Sequence, residues 1–247
     1  MKYLTSVYWE RGKRAGVNQD SVVLLQVLTA RGRVLMAAVC DGMGGLDRGE
    51  WASGYVTGRL QEWFYESLLR AVQKKKPWWV IRRSLDRLVY HMQETLCLHG
   101  KREAIRLGTT MTVLVLWEKT YLLWNLGDSR AYRLYGKDRG RAGKTCAECM
   151  TKDHACGENR LTKCVGSFDY ERPDFRMGVL EVGQAVLLCS DGFRRRVTEL
   201  ELSQVLQPGQ ITEEEQAARR LREIGDACIR RGERDNLSAV YVKFENK

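Results

Sequence analysis

Proline is nearly missing from this sequence, with three in 247 residues. That scarcity, beside a hydrophobic content of 44%, excludes a disordered proline-rich chain and fits a compact protein with a full core. No apolar run approaches the ~20 residues needed to span a bilayer, so no membrane partner is expected. The opening Met1-Lys2-Tyr3-Leu4-Thr5 lacks a long apolar core and a small-residue cleavage site, so a cytoplasmic location is expected. Interleaved aromatic and basic residues of the kind that stack bases are also missing. The formal net charge of +10 therefore does not carry a nucleic-acid reading. It suits a soluble basic surface, or attraction of anionic substrates. Cysteine is not scarce, but the eight are scattered, and Cys40, Cys97, Cys164, Cys189 and Cys228 lie in apolar surroundings. They read as buried free thiols, and no disulfide framework is expected.

The hydrophobic pattern changes period along the chain. Leu4–Trp9, Val22–Leu28 and Val34–Cys40 read as strands, the last two joined as an antiparallel hairpin through Arg31-Gly32. Glu50–Val72 and a stretch from Pro77 to about Leu98 carry helical spacing and should pack as an antiparallel pair. His91 and His99 on the second of these read as surface or packing residues. Thr109–Trp117, Leu122–Leu126 and Ala131–Tyr135 follow as a meander of short strands. The polar, basic stretch from Gly136 to Gly157 is assigned little structure. Val186–Cys189 is a buried strand, helices are expected at Thr198–Leu206 and Thr212–Arg231, and Leu237–Phe244 is the last strand. No linker or internal repeat interrupts residues 1–247, which points to one domain of antiparallel sheets covered by helices.

Aspartates punctuate these strands. Asp20 precedes the second, Asp41 follows the third at Asp41-Gly42-Met43-Gly44-Gly45, Asp191 follows Val186–Cys189, and Asp235 precedes the last. Asp128 lies in the turn Gly127-Asp128-Ser129-Arg130. Aspartate at a strand end is ordinary turn chemistry. Gathered at one sheet end, however, such carboxylates would repel one another unless cations neutralised them. Oxygen ligands with few imidazoles favour Mg²⁺ or Mn²⁺ over Zn²⁺, and two such ions can clamp a phosphoryl oxygen. Spacing alone leaves both readings open.

The ordered set Asn18-Gln19-Asp20, Asp41-Gly42-Met43-Gly44-Gly45, Gly108-Thr109-Thr110, Gly127-Asp128-Ser129-Arg130, Thr151-Lys152-Asp153-His154, Leu188-Cys189-Ser190-Asp191-Gly192 and Asp235-Asn236 resembles the metal-dependent serine/threonine protein phosphatases of the protein phosphatase 2C family, in their bacterial form. The motifs span nearly the whole chain. The resemblance implies an α+β fold, a four-layer α-β-β-α sandwich of two antiparallel sheets flanked by helices, with metals in a cleft at one edge. It implies that Asp41 bridges two Mn²⁺ or Mg²⁺ ions and that the Gly42 carbonyl helps hold one of them. Asp191 and Asp235 would bind the second, with Asp20 linked to it, and Asp128 would support a weaker third site. The implied activity is hydrolysis of phosphoserine and phosphothreonine in proteins by a hydroxide between the metals attacking phosphorus in line. The implied partners are phosphorylated targets of a serine/threonine kinase, met by a monomer. A catalytically silent phosphoprotein binder of the same fold is the alternative, and it would be marked by loss of a metal carboxylate. Ser129 and Ser190 are not expected as nucleophiles.

Several positions depart from the family pattern. Met43 stands where many eukaryotic members have histidine, and a thioether donates no proton, so leaving-group protonation would come from water. The usual phosphate-binding arginine falls at Ala15; Arg14 beside it is the candidate replacement, and a solvated basic loop is the plainer reading. The flap between Asp153-His154 and Asn159-Arg160-Leu161-Thr162, at about residues 154–159, is shortened. Cys146 and Cys149, with His154 and Cys156 nearby, suit zinc or a redox pair, or are incidental sheet residues. Arg194-Arg195-Arg196 is either a solvated helix entry or a basic rim that gathers acidic phosphorylated segments.

Overall fold

The computed structural model describes residues 2–13, 16–43, 48–136, 146–156, 160–166 and 169–246. Strands β1 (Lys2–Glu10), β2 (Asp20–Thr29) and β3 (Gly32–Asp41) come first. Helices α1 (Gly49–Trp63), α2 (Leu69–Gln73) and α3 (Trp78–Glu103) follow, α1 and α2 being joined by a π-helical turn at Phe64–Leu68. Next are β4 (Met111–Trp117), β5 (Thr120–Leu126), β6 (Arg130–Leu134) and β7 (Ala147–Cys149), then β8 (Ala155–Cys156), β9 (Arg160–Leu161), β10 (Asp174–Val179) and β11 (Ala185–Cys189). The chain closes with α4 (Asp191–Arg194), α5 (Glu199–Val205), α6 (Glu214–Arg230) and β12 (Leu237–Glu245).

Two five-stranded antiparallel sheets result, a rear sheet ordered β1-β12-β11-β6-β7 and a front sheet ordered β10-β5-β4-β3-β2. Strand β3 shows why they stack. Val34, Met36, Ala38 and Cys40 pack outward against α1 and α3, while Leu35, Ala37 and Val39 face the rear sheet. A strand buried on both faces needs an unbroken apolar run, and Val34–Cys40 supplies it. In β12, Val240, Val242 and Phe244 meet the front sheet, whereas Leu237, Ala239 and Tyr241 pack toward α5 and α6. The order of layers is helix, sheet, sheet, helix, as the resemblance implied.

The π turn corrects a drift in the helix. After Leu60 the buried positions Phe64, Leu68 and Val72 recur every four residues, a spacing that a 3.6-residue helix would rotate off the sheet. Helix α3 starts behind Pro77 and runs to Glu103, five residues past the expected end, before Ala104 turns left-handed at φ 54°.

Two sequence expectations are corrected. The strands after Gly108 are not a meander, because β5 pairs with β4 in the front sheet while β6 pairs with β11 in the rear one. The Gly127–Ser129 turn carries the chain between sheets, and Gly127 sits at φ 111° against Thr110, whose Cγ2 would be 2.5 Å from an added Cβ. Strand β10 was not expected. It borders β5 at the sheet edge, and its Asp174, Arg176 and Gly178 break the apolar signal that buried strands show. Residues 137–145 and 157–159 lie outside the described set, the latter within the shortened flap. Among the described residues, no helix is long and apolar enough to cross a membrane.

Candidate metal centre

The two sheets end at the same edge, and the aspartates sit there. In the front sheet Asp20 opens β2 directly opposite Asp41, which closes β3. Like charges paired across strands destabilise a sheet unless something offsets them. From the rear sheet Asp191 follows β11 and Asp235 precedes β12. Asp128 lies in the crossover from β5 to β6, so it stands between the sheets.

Backbone hydrogen bonds fix this edge. The Asp41 amide donates to Thr110 Oγ1 at 2.9 Å, and Thr109 Oγ1 donates to the Asp41 carbonyl at 3.0 Å. The Gly42 amide donates to the Gln19 carbonyl at 3.1 Å. Asn236 laces the sheets together: its Oδ1 accepts from the Gln19 amide at 2.9 Å, and its Nδ2 donates to the Arg11 carbonyl at 2.7 Å. Two glycines are required by close approach. A Cβ on Gly42 would lie 2.3 Å from the Gly49 carbonyl oxygen, and one on Gly192 would lie 2.2 Å from the Asn236 carbonyl oxygen.

The carboxylates lie within one another's electrostatic field. Burial raises the Asp41 pKa well above the usual range, and the charges of Asp20, Asp191, Asp128 and Asp235 raise it further. Burial pushes Asp20 up to about 7, with Asp191 and Asp235 adding to it. The Ser238 and Ser190 hydroxyls nearby pull it down in part, yet neither Asp20 oxygen has a hydrogen bond of proper geometry. Burial lifts Asp128 to about 6, helped by Asp191 and opposed by Arg194. Asp191 is raised by burial, held back by Arg195 and raised again by Asp235.

Divalent cations fit these residues. Asp20 is 2% exposed with both oxygens lacking a donor, and the surrounding donor set is oxygen throughout, which suits a hard ion. Among the described residues the carboxylates do not already close into an ion cage. A cation of the chain itself lies among them. Arg195 Nη2 pairs with Asp191 Oδ2, and Nη1 lies 3.6 Å from Glu233 Oε1 and 3.7 Å from Asp235 Oδ2.

A sequence model described as Protein phosphatase 2C matches residues 11–224. The chain belongs to the protein phosphatase 2C family. By family this phosphatase is a protein-serine/threonine phosphatase. It is 24% identical over 221 residues to protein phosphatase PhpP of Streptococcus pneumoniae, covering 81% of this chain and 83% of that protein. Its fold is similar to that of the serine/threonine phosphatase Stp1 from Staphylococcus aureus, with a TM-score of 0.80 and 21% identity over 100% of this chain and 96% of that one. It is also similar to the catalytic domain of the serine threonine protein phosphatase PstP in complex with two manganese ions. There the TM-score is 0.75 and the identity 25%, over 99% of each chain.

The structure of the phosphatase brings Asp20, Asp41, Gly42, Asp128, Asp191 and Asp235 to one edge, the arrangement that the resemblance, and not the spacing, implied. Arg14 and Ala15 lie outside the described residues, as do Gly44 and Gly45. The basic-rim reading of Arg194 and Arg195 is overturned. Arg194 Nη2 donates to the Asp128 carbonyl at 3.0 Å and to Asp153 Oδ2 at 3.1 Å, and Arg195 points into the carboxylates. The short helix α4 is the reason, because Arg195 stands one turn above Asp191. Ser129 and Ser190 are structural: their hydroxyls pair with Thr110 Oγ1 and the Ser238 amide.

Three supports were missed in the sequence. Asp153 takes both Nε and Nη2 of Arg130, at 2.7 and 2.8 Å, as well as Arg194. Glu233 is buried beside Arg195 and Arg196 and accepts the Arg234 and Asp235 amides. His154 Nδ1 accepts the Gly127 amide at 3.1 Å while Nε2 faces Asp174 Oδ2 at 3.2 Å. Both ring nitrogens are therefore engaged away from Cys146, Cys149 and Cys156. His99 stacks on Trp51 with ring centroids 4.4 Å apart, the packing role expected of it.

Proposed function

We propose that this chain is a divalent-cation-dependent phosphatase acting on phosphoserine and phosphothreonine in proteins, with the carboxylate edge as its active site. The supporting observation is the mutual field at Asp41, where burial and four neighbouring carboxylates oppose ionisation. Carboxylates held so closely call for cations, and the PstP complex with two manganese ions makes Mn²⁺ the first choice over Mg²⁺.

In this reading Asp41 and the Gly42 carbonyl serve one ion and Asp191 and Asp235 a second, Asp41 being shared, with Asp20 behind them. Asp128 with Asp191 would serve a weaker third. The bound ions would supply an activated water nucleophile and offset charge on the phosphoryl oxygens. The protein's own part is to hold these groups at fixed separation, which the Thr109, Thr110 and Asn236 hydrogen bonds support. Met43 beside Asp41 carries no transferable proton, so the departing serine or threonine oxygen takes its proton from solvent. Arg14 is the proposed phosphate anchor, a role assigned on sequence alone.

We assign residues 1–247 to one phosphatase domain with a shortened flap, where β8 pairs with β9. Its substrates would be proteins phosphorylated by serine/threonine kinases, met in the cytoplasm by a monomer. The test is release of phosphate from a phosphoserine peptide and from p-nitrophenyl phosphate with Mn²⁺, with EDTA, and in Asp41→Asn. Manganese-dependent turnover abolished by both treatments supports the proposal. Peptide binding without turnover under any condition would instead identify a silent binder.

A further inference from the structure

The cation among the carboxylates belongs to the chain itself. Arg195 caps α4, its amide donating to the Asp191 carbonyl at 2.8 Å, and its guanidinium returns over Asp191. The same group faces Glu233 at 3.6 Å and Asp235 at 3.7 Å. Two of the carboxylates it meets are largely shielded from water, with side-chain exposures of 15% for Asp191 and 5% for Glu233, while Asp235 is 30% exposed. Glu233 in turn holds the Asp235 amide at 3.1 Å. Arg195 thus closes the corner from its solvent side, its own side chain 32% exposed.

We infer that Arg195 is a tethered counter-cation of the metal centre, occupying the Asp191–Asp235 side until a divalent ion displaces it. The inference rests on the reading of Asp191 and Asp235 as ion ligands. A guanidinium carries its charge at every accessible pH, so it cannot yield the site by losing a proton. An arriving ion must push it out or accept a like charge beside it, and either route weakens binding there. The opposite side differs. Among the described residues no arginine pairs with Asp41, which with the Gly42 carbonyl would hold the first ion. The centre is therefore asymmetric, with one ion position open to capture and the other guarded by the chain.

The guard has a second effect on the metal-free protein. Carboxylates packed together without any cation would drive the edge apart. Arg195 supplies one positive charge to Asp191, Asp235 and Glu233 together, so it should hold the fold while the ions are absent. Loss of the guanidinium should therefore weaken the metal-free state and strengthen ion capture, a pair of opposite signs that an ordinary surface ion pair would not produce.

Calorimetric titration of Mn²⁺ into the metal-stripped full chain tests this, on wild type, Arg195→Gln, Arg195→Lys and Asp41→Asn, with melting temperatures taken before and after loading. Wild type should bind in a tight and a weak phase. Arg195→Gln should tighten the weak phase about tenfold, equal to about 1.4 kcal/mol, and leave the tight phase in place. Arg195→Lys should stay near wild type. Metal-free Arg195→Gln should melt below wild type, and saturating Mn²⁺ should close that gap. Wild-type binding that Asp41→Asn abolishes but Arg195→Gln leaves unchanged or weakens would overturn the role of Arg195 and spare the metal centre. Absence of Mn²⁺ binding in wild type and Arg195→Gln alike would overturn the metal centre itself. The native chain carries an independent readout, since the Arg195 Nε–Hε resonance should move during the weak phase of a Mg²⁺ titration. A resonance that stays fixed through saturation would refute displacement.

Discussion

Replacing Asp20 by asparagine should stabilise the metal-free protein, and only at high pH. Asp20 is a buried carboxyl whose pKa is raised from 3.8 to about 7 by burial and by Asp191 and Asp235. A folded-state pKa above the unfolded value means that the folded protein holds this proton more tightly. Stability is then fullest at low pH and declines as pH rises from the unfolded value through about 7. With each pKa unit equivalent to about 1.4 kcal/mol, the ionised side chain would cost about 4 kcal/mol. Asparagine removes the charge but leaves one more buried donor than the protonated acid, at about 1 kcal/mol. A net gain of about 3 kcal/mol, or roughly 6–12 °C in Tm for a chain of this size, is expected near pH 8. Near pH 5 the folded side chain is protonated while the unfolded one is ionised, which leaves a cost of about 1.6 kcal/mol that the extra asparagine donor mostly offsets, so the two proteins should unfold nearly alike. Urea denaturation in EDTA at both pH values measures this. An asparagine variant no more stable than wild type at the higher pH, or equally stabilised at both, would refute the reasoning.

Two further substitutions test the frame around the carboxylates. Gly42→Ala places a methyl 2.3 Å from the Gly49 carbonyl oxygen and 2.6 Å from that of Gln19, both main chain and unable to yield cheaply. It should cost about 2 kcal/mol or more in urea unfolding, with turnover falling further than stability. Asp153→Asn breaks the paired contact with Arg130 and the contact to Arg194, which together hold the Asp128 loop. The Asp153 side chain is 26% exposed, so a loss of about 1–2 kcal/mol by denaturation is expected, below the range for fully buried charged hydrogen bonds.

The carboxylate edge is legible in the sequence because its aspartates lie at strand ends. Val34–Cys40 reads as a strand, and Asp41 directly after it falls where that strand ends. Asp191 and Asp235 flank β11 and β12 in the same way, so strands that pair also bring their aspartates together. What the sequence could not show was which sheet each strand joins. β5 follows β4 after two residues and β6 follows β5 after three, yet only β6 crosses to the rear sheet, a difference too small to read from the spacing. Strand β10 escaped notice because an edge strand needs only half its side chains to be apolar. Arg194 and Arg195 looked like a solvated run because adjacent charges usually are. Helix α4 is four residues long, too short to register as periodicity, and it is what turns Arg195 onto Asp191.

In the proposed metal centre Asp41 is shared between two ions. Low-temperature electron paramagnetic resonance of the metal-stripped protein loaded with about two equivalents of Mn²⁺ tests that sharing directly, since ions about 3.5–4 Å apart couple their spins. Wild type should give the broadened spectrum of an exchange-coupled pair, and Asp41→Asn should give only the resolved six-line pattern of isolated ions. A six-line spectrum from wild type at full loading would contradict the account, as would a coupled pair that survives in Asp41→Asn.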